Sequence, residues 1–123
     1  MNGVALVAAA GALGAPSRYA LEWCIRTRWP TITPAGTLAV NVTGSFALGI
    51  VVGLALAHGL DPDARIVMGT GFLGAYTTFS TFAYETVRRA EEGHARVAVV
   101  YAIGSVVAAT LAAALGLVLT GAW

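Results

Sequence analysis

The side chains best equipped for chemistry in this chain sit where a membrane protein can least tolerate them. Gly74-Ala75-Tyr76-Thr77-Thr78-Phe79-Ser80-Thr81-Phe82 interrupts an apolar run with four Ser and Thr residues between Thr77 and Thr81. An unpaired polar group at that depth costs several kcal/mol. The segment must therefore line a cavity, hold an ion, or both. Other intramembrane polar residues fall at helical spacing. Thr37 and Asn41 are four apart and share a face, as do Tyr101 and Ser105. Phe79 and Phe82 follow the polar interruption at a spacing of three. Apart from the two Phe rings, every member of this set can donate a hydrogen bond. No acidic residue lies mid-span to attract a cation. This inventory suits an anion: the Asn41 amide and the hydroxyls of Thr37, Tyr101 and Ser105 can replace hydration water, and a Phe ring offers its positive edge.

The interruption has a second consequence. A helix broken between Gly74 and Thr77 strips backbone carbonyls of their helical partners, and these must then find donors, water or a cation. Carbonyls of unwound helices coordinate Na⁺ in transport folds, so a buried Na⁺ on backbone oxygens is expected here. Each residue alone also has a plainer reading. Asn41 can be interhelical glue. A single Ser or Thr ordinarily bonds back to its own helix. Phe79 and Phe82 can be packing residues, Tyr101 a belt residue, and Arg18 a side chain that snorkels to the head groups. The clustering around one break favours the ion pathway.

The elements that position these residues are membrane helices. Of the 123 residues, 58% are hydrophobic and 11% charged, against about a quarter charged in soluble domains. A soluble domain this small could not bury that much apolar surface. Spans of about 20 residues fit residues 3–25, 35–57, 66–87 and 97–119, the third broken near 74–78, within a single domain over 1–123. Met1 to Ala15 has no basic residue before its apolar part and reads as the first half of a retained helix. Asp61-Pro62-Asp63 marks a turn, and Trp23, Trp29 and Trp123 lie at span ends, where aromatic belts form.

Several familiar patterns carry no chemistry. Gly69-Thr70-Gly71-Phe72-Leu73-Gly74 has dinucleotide-loop spacing but no preceding strand, and reads as helix packing. Asn41-Val42-Thr43 is a sequon inside a span. Gly49 and Gly53 form a GxxxG packing pair. Cys24 is the lone cysteine, so no internal disulfide exists. His58 and His94 have no second ligand at zinc spacing. No Ser/His/Asp set, paired carboxylate or metal cluster is present, which argues against an enzyme, and no basic run supports nucleic-acid binding.

Three ordered stretches carry a family resemblance. Gly11 to Tyr19, Pro34 to Phe46 and Gly71 to Glu85 resemble the three motifs of the Fluc/CrcB fluoride channels, and the match covers almost the whole chain. The resemblance implies passive fluoride efflux across the cell (inner or plasma) membrane, through two pores along the interface of an antiparallel, dual-topology dimer. It implies that Asn41 supplies the pore amide, that Phe79 and Phe82 meet fluoride edge-on, and that Tyr101 and Ser105 belong to a polar track. It places Arg18 near an aqueous vestibule, and gives Gly74 and Thr77 backbone carbonyls to a central Na⁺ that is structural and not transported.

Two features depart from the family pattern. Ala109 stands where the polar track usually continues with a hydroxyl, and the adjacent Thr110 is rotated about 140° from Ser105. Arg26, Arg28, Arg88, Arg89 and Arg96 lie on one side of the membrane and Arg65 alone on the other. Such a bias is expected of a chain that pairs with a homologue of opposite bias. The rival class is a small multidrug exporter, which needs a carboxylate deep in the first span; Glu22 lies near the end of its span instead. In a non-transporting assembly subunit, a third possibility, the polar residues would be helix glue.

Overall fold

The computed structural model describes residues 2–31 and 33–123. Met1 and Ile32, which fall in the N-terminal segment and first loop read from the sequence, lie outside the described residues. The described chain is all-helical. Helix α1 spans Gly3–Arg28 and α2 spans Ala35–His58. A short α3, Pro62–Ile66, runs into a π-helical segment, Val67–Leu73, and then into one α-helical turn, α4, Gly74–Tyr76. After a gap come α5, Ser80–Glu91, and α6, Ala95–Leu119.

Local chemistry sets these limits. The Asn2 side chain accepts from the Ala5 N–H at 2.9 Å and caps α1, and Arg26 and Arg28 occupy its last turn, where cations suit the helix dipole. That basic turn carries α1 beyond the expected end at residue 25. Pro16 sits within α1 without ending it. Gly59 ends α2 with a positive φ of 66°, the conformation glycine adopts without strain. Asp61 caps α3 by accepting from the Ala64 N–H at 3.0 Å, with Pro62 in the first turn.

Helices α1, α2 and α6 are each long and apolar enough to cross a membrane. The third rod is divided, and neither half would cross alone. The break lies later than the sequence suggested. Gly74 is still helical, with φ −63° and ψ −35°, whereas Thr77 is extended, with φ −77° and ψ 160°. The non-helical residues are therefore Thr77 to Phe79. The upstream part also differs from expectation, because a π-helical stretch precedes the break. Such geometry inside a helix often marks a functional site.

Helix α2 packs along α6, and α1 packs on the π segment and α4. Missing side chains permit both contacts. A Cβ on Gly14 would collide with the Phe72 carbonyl, and one on Gly71 would approach the Ala10 Cβ to 2.9 Å. Within the Gly69-to-Gly74 stretch, Gly71 and the Phe72 backbone are thus packing surface against α1, whereas Gly74 is exposed. Among the described residues the buried apolar set is only Val40, Val51, Leu73, Ala98 and Tyr101. Val99, Val100, Ile103, Val106, Val107 and Leu111 of α6 are exposed, as expected of a surface that meets lipid or protein instead of water.

Candidate functional site: a helix break beside a hydroxyl-lined groove

The break is made by two side chains that intercept backbone hydrogen bonds. A continuous helix would send the Thr78 N–H to the Gly74 carbonyl and the Thr81 N–H to the Thr77 carbonyl. Instead the Thr78 N–H donates to Asn41 Oδ1 at 2.9 Å, and the Thr81 N–H donates to Thr78 Oγ1 at 3.2 Å. Asn41 Nδ2 donates in return to the Thr78 carbonyl at 2.8 Å. Asn41 therefore clamps both polar groups of one peptide residue, and Thr78 caps α5. Its replacement in Thr78→Val is expected to lower stability by about 1 kcal/mol, the usual value of a cap. Thermal unfolding in detergent measures this; an unchanged midpoint would count against the capping role.

Gly74 and Thr77 are left with carbonyls deprived of their helical donors. Gly74 is exposed, and Thr77 is half-buried. Arg18 Nη1, from α1, donates to the Thr77 carbonyl at 3.3 Å. The Thr77 side chain is occupied elsewhere: its hydroxyl donates to the Leu73 carbonyl at 2.9 Å. Its hydroxyl hydrogen is therefore not available to an anion. Neutral, hard carbonyl oxygens suit an alkali cation better than a transition metal. Among the described residues no group of three His, Cys, Asp or Glu side chains offers another metal site.

Two further contacts hold the turn before the break. The Thr43 hydroxyl donates to the Ala39 carbonyl at 2.7 Å, so Tyr76 donates its own hydroxyl to Thr43 Oγ1 at 2.9 Å. The Tyr76 ring stacks on Phe72, with centroids 5.9 Å apart. A Cβ on Gly44 would collide with the Thr77 methyl group, so this glycine lets α2 approach the break.

A groove of about 280 Å³ opens beside the break, lined by Asn41, Thr77, Thr78, Phe79, Phe82, Ser105 and Ala109 among others. Ser105 Oγ is buried and has no hydrogen-bond partner among the described residues. Asn41 uses one amide N–H on Thr78 and keeps a second. Phe79 is 78% exposed, and its ring lies tilted at 49° to that of Phe82, with centroids 5.8 Å apart. Phe82 in turn meets Tyr101 at 5.4 Å. Four of the residues expected on an anion path, Asn41, Phe79, Phe82 and Ser105, thus share one groove.

Tyr101 and Thr37 are placed differently. The Tyr101 hydroxyl donates to Glu85 Oε2 at 3.2 Å. Thr37 is buried and lines a second hollow of about 190 Å³ at the Arg-rich end, with Glu22, Arg26, Glu85 and Arg89. Tyr101 therefore touches one residue of each, the Phe82 ring of the groove and the Glu85 carboxylate of the hollow, while lining neither. Ala109 presents a methyl group to the groove, and Thr110 does not replace a hydroxyl there, because its Oγ1 donates to the Val106 carbonyl at 2.8 Å. At the outer edge of the same end, Glu92 bridges Arg88 at 2.8 Å and Arg89 at 3.1 Å. Arg88 holds its carboxyl below the usual range, an exposed contact of little weight in stability.

Sequence reasoning missed the role of Thr78 and of Glu85. Thr78 precedes Thr81 by three residues, the spacing of a side-chain cap, and Glu85 follows Phe82 by three on the same helical face. Both signals were present but indistinguishable from ordinary helix composition.

Three membrane-length apolar helices and a divided fourth rod define a multi-pass membrane protein. Residues 5–117 match the family described as CrcB-like protein, Camphor Resistance (CrcB), and the chain belongs to that family. It is 52% identical to the fluoride-specific ion channel FluC 1 of Leifsonia xyli subsp. xyli, over 96% of this chain and 86% of the relative. It is 48% identical to the fluoride-specific ion channel FluC of Acidobacterium capsulatum, over 91% of this chain and 90% of the relative. A third relative, the fluoride-specific ion channel FluC 1 of Frankia casuarinae, is 47% identical over 95% of both chains. The family is one of ion channels and not of enzymes.

Proposed function

We propose that this chain forms a fluoride-selective channel that lets the ion leave the cytoplasm passively, lowering its internal concentration. The supporting observation is the buried Ser105 hydroxyl, which has no partner among the described residues and shares a groove with Asn41, Phe79 and Phe82. A small, strongly hydrated anion enters such a groove only when donors replace its water. Ser105 and the second Asn41 N–H supply donors, and the tilted Phe rings supply positive edges. Thr37 lines the hollow at the Arg-rich end, which serves as an entrance, and Tyr101 is held by Glu85 of the same hollow.

A structural Na⁺ fits the carbonyls of Gly74 and Thr77, whose helical donors are diverted. It would supply a fixed positive charge beside the anion path. Gly74 faces outward, so a second chain can share the ion. The groove is open on one side and the exposed face of α6 is apolar, both of which favour a dimer. An antiparallel arrangement brings the partner's groove into the same membrane, and the one-sided arginines favour a paired homologue of opposite bias over a second copy. The exporter alternative receives no comparable support, since no carboxylate lines the groove among the described residues.

Fluoride efflux from liposomes holding the purified chain is the direct test, alone and with a paired homologue, with and without Na⁺. Efflux is expected, with chloride excluded. Ser105→Ala is expected to slow it by about tenfold or more, the value of one hydrogen bond to a charged group. Well-folded dimer of either composition that passes no fluoride would sink the channel reading.

A further inference from the structure

The Thr77 carbonyl is given to two different cations, one in the structure and one in the proposed function. Its helical donor is lost because Thr78 Oγ1 takes the Thr81 N–H. Arg18 Nη1 then occupies it at 3.3 Å, reaching across from α1. The reach is built into the packing. Gly14, one turn before Arg18, permits contact with the Phe72 backbone, and Gly11 lies where even a Cβ would stand 3.5 Å from the Gly71 carbonyl. Helix α1 is thereby pressed against the segment that leads into the break. Arg18 is half-buried, and Glu22 lies one turn further along α1, on the wall of the water-accessible hollow at the Arg-rich end. The guanidinium thus holds the Thr77 carbonyl, and a carboxylate stands one helical turn away on the same face of α1.

We propose that Arg18 is the resident cation of the helix break, and that Na⁺ binds by displacing its guanidinium from the Thr77 carbonyl. This inference rests on the sodium site proposed above. The physical ground is charge. A carbonyl oxygen can accept twice, but a Na⁺ and a guanidinium on one oxygen would stand within a few ångströms of each other at low dielectric, where like charges repel strongly. Either cation alone satisfies the oxygen. Sodium therefore stabilises the protein only by the difference between the two, and Arg18 sets the sodium concentration at which the exchange occurs. The arginine would hold the break in shape when sodium is scarce.

The test is the Na⁺ dependence of thermal unfolding of the purified dimer in detergent, with N-methylglucamine replacing Na⁺ at constant ionic strength. Arg18→Gln is compared with the wild type, and ²²Na⁺ binding is measured on both. The Gln variant is expected to unfold at lower temperature without Na⁺, and to bind Na⁺ with a midpoint about tenfold lower or more, once the competing charge is gone. Arg18→Lys keeps the charge, loses the fork and the reach, and is expected to fall between the two. It carries the comparison if the Gln variant does not fold. Equal Na⁺ midpoints in wild type and variants would overturn the exchange and leave the sodium site standing. Weaker Na⁺ binding on removal of Arg18 would overturn it as well, by making the arginine a supporting group. Absence of any bound Na⁺ in wild type and variants alike would overturn the sodium site itself, and the exchange with it.

Discussion

Asn41→Ala is expected to abolish measurable fluoride efflux and to destabilise the protein by about 2–4 kcal/mol, because it removes two hydrogen bonds and leaves a buried peptide unsatisfied. The Thr78 N–H and carbonyl both bond to this one side chain, at 2.9 and 2.8 Å. With Asn41 gone, the Thr78 N–H has an obvious alternative, the Gly74 carbonyl one helical turn back. The break would then partly close into helix and withdraw the carbonyl proposed for Na⁺. The same substitution removes the amide N–H left for an anion. Asn41→Asp separates the two roles. It keeps an oxygen for the Thr78 N–H, loses the donor, and adds negative charge to the groove. It is therefore expected to melt closer to wild type than the Ala variant does, yet to conduct no better. The checks are liposome efflux and thermal unfolding of each purified variant. Wild-type efflux through Asn41→Ala would remove Asn41 from both the clamp and the pathway.

The second large effect is expected at a position with no polar atom in its side chain. Gly49→Val should prevent accumulation of folded protein, through a cost on the order of 3 kcal/mol or more from overpacking against backbone. A Cβ on Gly49 would collide with the Ala113 carbonyl of α6, and a Cβ on Gly116 would collide with the Phe46 carbonyl of α2. The two helices interlock through reciprocal glycines, so neither backbone can retreat without losing the other contact. In lipid such close packing is a principal source of helix association. This interface also holds Asn41 and Ser105 in register, since they lie on α2 and α6. Gly104→Ala is the control, because a Cβ there meets nothing within 4 Å. It should leave this chain's own packing intact. The measurement is the yield of monodisperse protein and its melting temperature in detergent. Normal yield of Gly49→Val would mean that the α2–α6 spacing is not constrained as the structure has it.

The two substitutions also mark how far the sequence alone reaches. Gly49 and Gly53 were legible as a packing pair, because GxxxG aligns small residues on one helical face. The α6 residues they meet, Ala113 for Gly49 and Thr120 for Gly53, with Gly116 set reciprocally against Phe46 and Gly49, were not, since pairing between helices far apart in sequence depends on how they are laid together. The interruption at Thr77 to Thr81 was legible because hydroxyls in an apolar run require an explanation. Its position was displaced, with the non-helical residues at Thr77 to Phe79 and Gly74 still helical. Glycine suggested the start of the break, but glycine alone does not open a helix in lipid. The break forms where other side chains can take over the backbone hydrogen bonds, and those side chains belong to Thr78 itself and to Asn41, 37 positions away.

By itself, then, the sequence determined the membrane class, the four apolar rods and the stretch in which the third must fail. These follow from one-dimensional quantities: composition, run length, and the cost of polar groups in hydrocarbon. Only the tertiary structure decided what each polar residue does. Asn41 became a clamp with one donor to spare, Tyr101 was tied to Glu85, and Ser105 was left in a groove with a hydroxyl that no described residue engages. The reason is that a hydrogen bond is a property of a pair. A sequence names the donors and acceptors, and only the fold decides which of them meet and which remain for an ion.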